Sequence, residues 1–194
     1  VRRRIATAVL ISGRGSNMSA LIAAAQAPDY PARIAVVISD KASAAGLDAA
    51  RAAGVEALAL DAKALGGKAA FETALDAALR ARGVELICLA GFMRILSAGF
   101  LANWRALNIH PSLLPAYKGL GTHARALADG VREHGATVHW VTPELDSGEI
   151  VAQARVAVEP GDDAETLAAR VLVVEHALYP RALRDVGERL LADL

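Results

Sequence analysis

From Ile5 to Ile11 the chain runs through seven uncharged, mostly apolar residues, and in the stretch that follows Met18, Leu21, Ile22 and Ala25 recur at helical spacing. A short apolar run followed by a 3.6-residue period predicts a strand, a turn and a helix, with Ser16 or Asn17 placed to cap the helix. The alternation repeats. Further strands are expected over Ile34 to Ile38, Val55 to Leu60 and Glu85 to Ala90, with a short one ending near Ile109, and helices over Ser43 to Ala53 and Ala69 to Arg82. Strands that alternate with alanine-rich helices predict an α/β fold: an open, mostly parallel, twisted sheet with helices on both faces.

After about residue 135 the pattern changes. "GATVHWVTPEL" and "GEIVAQARVAV" alternate like paired strands around the turn-rich "LDSG", which predicts an antiparallel C-terminal extension. A last helix is expected from near Asp163, where Leu167, Val171, Val174 and Leu178 share one face, and Pro180 should bend or interrupt it. No repeat, low-complexity tract or long linker divides the chain, so residues 1–194 are expected to form a single domain.

Composition narrows the partners. Lysine plus arginine and aspartate plus glutamate each total 21, so no global field points to nucleic acid or a membrane surface, and a small molecule is the expected partner. No apolar stretch approaches the roughly 20 residues that span a bilayer. The single cysteine, Cys88, lies in the apolar "ELICLAG", which reads as a buried thiol compatible with a reducing cytoplasm.

Three motifs carry candidate chemistry. In "ISGRGSNMSALI" two glycines between strand and helix suit an anion held on backbone N–H groups, although a plain glycine turn has the same appearance. Met18 occupies the place of a third small residue and no Walker lysine follows, so the motif is not a dinucleotide fingerprint. In "LNIHPSLLPAYKG", inward packing of Leu107 and Ile109 would project Asn108 and His110 together on the other face. An amide and an imidazolium aimed at one point suit an oxyanion, though satisfied core polar groups fit the same pattern. In "TPELDSGEIVAQ", Asp146 could orient that imidazole or merely serve a turn. His139, in "TVHWV", reads as half-buried on a strand, and His123 and His134 as helix or loop residues. With no H-E-x-x-H and no cysteine–histidine cluster, no metal is expected.

In their order, "ISGRGSNMSALI", "LAGFMRILS", "NIHPSLLPAYKGLGTHARAL", "VHWVTPELDSGEIVAQ" and "EHALYP" resemble the phosphoribosylglycinamide formyltransferases of purine synthesis, from about residue 5 to the chain end. The resemblance implies a Rossmann-like formyltransferase fold and transfer of a formyl group from 10-formyltetrahydrofolate, as co-substrate, to the amine of glycinamide ribonucleotide. It implies catalytic roles for Asn108, His110 and Asp146, and nucleotide contacts from Gly15, Ser16, Asn17 and Glu175. Folate contacts are implied for Lys68, Met93, Arg94, Ile95, Leu96, Asn108, Thr142, Pro143, Glu144, Leu145 and Asp146. Cytoplasmic action and a homodimer follow from the same likeness. Lys68 stands where some members have arginine, so a point charge replaces a bidentate fork, and Gly121 stands where some have histidine.

The implied reaction is direct attack by the amine, with the proton leaving through His110 or through a water held by Asp146. Other formyl enzymes share "HPSLLP" and the polar trio. A methionyl-tRNA formyltransferase is expected to carry a further basic C-terminal domain, and a formyltetrahydrofolate hydrolase an added N-terminal regulatory domain. A non-catalytic folate or nucleotide sensor would have no need of the trio.

Overall fold

The computed structural model describes residues 3–193. Within these residues seven strands form one sheet in the order β3-β2-β1-β4-β5-β6-β7: β1 Ile5–Ile11, β2 Ala32–Ser39, β3 Ala57–Ala59, β4 Leu86–Leu89, β5 Ala106–His110, β6 Glu133–Trp140 and β7 Ile150–Ala157. β1 to β5 pair in parallel, whereas β6 and β7 add antiparallel, as the change of texture near residue 135 predicts. Among the described residues six helices cover the sheet: α1 Ser16–Ala25, α2 Ala45–Ala52, α3 Lys68–Ala81, α4 Ala98–Leu101, α5 Thr122–Ala128 and α6 Ala164–Ala192.

Alternation along β1 explains both cores. Val9 and Ile11 join Met18, Leu21, Leu107, Ile109, Val138 and Tyr179 in one buried cluster, while Ala8 and Leu10 face Phe71, Leu75, Ile87 and Trp104 in the other. Every residue of β1 is buried, as expected of a central parallel strand covered on both faces.

Some local expectations are corrected. Neither Ser16 nor Asn17 caps α1; Gly15 does, at φ 68, and among the described residues no side chain makes a capping hydrogen bond. Pro180 does not interrupt α6, which runs for 29 residues, because Leu178, Tyr179, Ala182 and Leu183 are buried around it and that packing outweighs a lost backbone hydrogen bond. β3 is shorter than the apolar run suggested, since at the sheet edge only three residues find a ladder partner. His134 lies in β6, 1% exposed, rather than in a helix or loop, and His139 is fully rather than half buried. Cys88 is buried, and desolvation pushes its thiol up to about 12. Among the described residues no helix is long and apolar enough to cross a membrane.

Candidate active site

Parallel pairing sets Leu89, the last residue of β4, beside Asn108, so the end of β5 projects past its neighbour. Leu107 and Ile109 point into the core, which turns Asn108 and His110 to the opposite face. The antiparallel register then sets His139 of β6 directly across from Asn108.

Asp146 reaches the same place from the turn between β6 and β7. Its Oδ2 lies 3.5 Å from His110 Nδ1 and accepts the Gly119 N–H at 2.8 Å, and its Oδ1 lies 3.7 Å from His139 Nε2. The aspartate is 8% exposed and sits at φ 48, a left-handed conformation that aspartate tolerates better than most residues. Gly148 lets the turn fold back, because a Cβ there would stand 1.6 Å from the Trp140 carbonyl oxygen.

The two histidines are held differently. Burial keeps the His139 pKa below its ordinary value; its Nδ1–H donates to the Trp140 carbonyl at 3.0 Å, leaving Nε2 to accept from the Asn108 amide at 3.4 Å. That contact orients the asparagine. His110 Nε2 donates to the Tyr117 carbonyl at 2.8 Å, so Nδ1 is the nitrogen that faces Asp146. Use of Nε2–H toward an oxyanion therefore requires the Tyr117 carbonyl to give way, and Tyr117 itself holds φ 55.

A cleft opens beside this cluster. Its walls are Phe92, Arg94, Ile95 and Leu96 after β4 and Val141 to Asp146 after β6, and its floor is Leu89, Asn108 and His139. Arg94, Ile95, Leu96, Thr142, Pro143, Glu144 and Leu145 thus line one cleft together. Met93 points away, 63% exposed, and Lys68 begins α3 outside this lining.

At the first βα turn Gly15 and Ser16 lead into α1, and Asn17 Nδ2 donates to Glu175 Oε1 of α6 at 3.2 Å. Burial pushes the Glu175 carboxyl up to about 7, against the lowering effect of the Asn17 hydrogen bond. Among the described residues Asn17 Oδ1 is buried with no partner, and the first turn, without a side-chain cap, leaves backbone donors that suit an anion. Among the described residues no group of three or more His, Cys, Asp or Glu could hold a metal ion.

Sequence reading did not place His139 in the site. Alternation in "TVHWV" could have put it on one face with Thr137, but the register that brings it to Asn108 is not visible in the chain. The backbone groups of Tyr117 and Gly119 were missed for the same reason. Gly121, singled out as a departure, caps α5 at φ 66, where a side chain would be strained.

The chain is similar to known proteins along most of its length. The formyl transferase family profile matches residues 4–183. The phosphoribosylglycinamide formyltransferase of Escherichia coli is 46% identical over 89% of this chain and 82% of its own. The crystal structure of a phosphoribosylglycinamide formyltransferase from Brucella melitensis superposes with a TM-score of 0.92 at 53% identity, covering 95% of this chain and 96% of that one. The bovine trifunctional purine biosynthetic protein adenosine-3 is 46% identical over 95% of this chain, which spans only 18% of that protein's length.

Proposed function

Because the chain belongs to the formyl transferase family, we propose that it transfers a formyl group from 10-formyltetrahydrofolate to the amine of N1-(5-phosphoribosyl)glycinamide, a step of purine biosynthesis. The observation that carries the reading is the convergence of Asn108, His110 and Asp146 beside a cleft between two loops. We assign the cleft to the folate and the Gly15–Asn17 turn to the phosphate of the nucleotide, with Glu175 toward its amine end. Residues 1–194 act as one catalytic domain in this reading, in the cytoplasm, on small molecules, without metal, nucleic acid or membrane; a homodimer is the assembly to test.

The chemistry follows from what each group can supply. The neutral amine attacks the formyl carbon, and the Asn108 N–H, oriented by His139, donates to the oxygen as it gains charge. His110 accepts a proton at Nδ1, where the Asp146 carboxylate meets the developing positive ring. The proton is returned to the departing folate nitrogen directly or through water.

Purified protein given 10-formyltetrahydrofolate and glycinamide ribonucleotide should form tetrahydrofolate and the formylated nucleotide in equal amounts. Transfer to water or to charged methionyl-tRNA instead, with the nucleotide inert, would replace this assignment.

A further inference from the structure

The segment of residues 91 to 96 supplies one wall of the cleft, through Phe92, Arg94, Ile95 and Leu96, yet is thinly anchored: Met93 and Ile95 are 63% and 59% exposed, and Leu96 is buried. Among the described residues the backbone of this segment makes a single hydrogen bond, from the Met93 N–H to the Ser12 hydroxyl at 3.0 Å. That hydroxyl donates to Asp40 Oδ1 at 2.6 Å, and Arg94 Nε donates to Asp40 Oδ2 at 2.7 Å. The Phe71 ring lies 5.6 Å from the same guanidinium. One carboxylate, 3% exposed just after β2, therefore ties two successive residues of this segment, Arg94 directly and Met93 through Ser12, to the ends of two central strands.

A wall held by so few bonds is ordered either before the ligand arrives or at the ligand's expense, and ordering on arrival weakens binding without touching the reacting atoms. Asp40 makes no hydrogen bond to Asn108, His110, His139 or Asp146 among the described residues. Its effect must then pass through the loop. We propose that Asp40 is a positioning residue for the formyl donor: with Ser12 it pre-sets residues 91 to 96 and so fixes affinity for the folate rather than the rate of transfer. This role rests on the folate reading of the cleft.

Asp40→Asn keeps the volume but offers one acceptor oxygen to two donors, and Ser12→Ala cuts the Met93 tie while leaving the ion pair. Calorimetric titration with tetrahydrofolate should show about tenfold weaker binding by Asp40→Asn, the scale of a lost charge-assisted hydrogen bond. Ser12→Ala should shift in the same direction by less. In turnover assays KM for 10-formyltetrahydrofolate should rise in parallel while kcat stays within about twofold and KM for the nucleotide is unchanged. Hydrogen exchange over residues 91 to 96 should quicken in both unliganded variants, with the rest of the sheet protected as before. Folded variants that bind tetrahydrofolate as the parent does, or that lose kcat at constant KM, overturn the role of Asp40. A parent protein that does not bind tetrahydrofolate overturns the folate reading itself, and this role with it.

Discussion

At His110 the two ring nitrogens meet opposite company, a carbonyl on Nε2 and a carboxylate on Nδ1, and this asymmetry makes Asp146 the most informative residue to change. Asparagine tolerates the left-handed backbone that Asp146 adopts, so Asp146→Asn removes charge while sparing the turn. We expect kcat to fall by about 10²-fold or more, the scale of a positioned acid–base or electrostatic group, with an unchanged melting temperature. Near-normal turnover would remove Asp146 from the mechanism. His139→Ala should lower kcat by about tenfold, since it frees the Asn108 amide to rotate without removing it. Equal kcat in that variant would mean that the asparagine is oriented by something else. The pair Asn108 and His110 was legible in the sequence because period two is strict within a strand. Asp146 was legible only as a turn residue, for its approach depends on a loop folding back over Trp140.

Among the elements, the turn between β6 and β7 is built with least tolerance. A methyl group at Gly148 overlaps the Trp140 carbonyl, so Gly148→Ala must push the turn, and Asp146 with it, away from His110. Urea unfolding should show a loss of about 2 kcal/mol. Turnover should drop by more than that loss explains, because the variant remains folded in buffer; unchanged kcat would show that the turn has room to move. Central strands and long helices were readable because burial on one or both faces writes a period into the chain. Elements settled by tertiary contact were not: α4 and α5 are only four and seven residues long, and α6 runs on through a proline that the sequence alone reads as a bend or interruption.

Across the whole molecule, buried titratable groups oppose one another in acid. Burial pushes His134 down to about 4 and lowers His123, which lies 3.1 Å from it, and His139. A histidine lowered on folding contributes stability that is present above its ordinary value of 6.5 and lost as pH falls through the folded value. Glu175 works the other way. Its carboxyl is raised from 4.5 to about 7, so its contribution is full below 4.5 and is lost as pH rises toward 7, on the order of 3 kcal/mol. Unliganded protein should therefore weaken in acid less steeply than its histidines alone dictate. Glu175→Gln should be more stable than the parent at pH 8, equal to it near pH 4.5, and steeper between, as read from denaturant midpoints at each pH. Parallel curves for the two proteins would show that Glu175 is not strained by burial.

The bond from Asn17 to Glu175 joins residues 158 positions apart, the one on the first helix and the other on the last. During synthesis the first βα turn leaves the ribosome ahead of its carboxylate partner, which follows only after β2 to β7 have been made. In that interval α1 lacks the α6 face it packs against, and the nucleotide site proposed above lacks Glu175. Docking of α6 is the step that completes both.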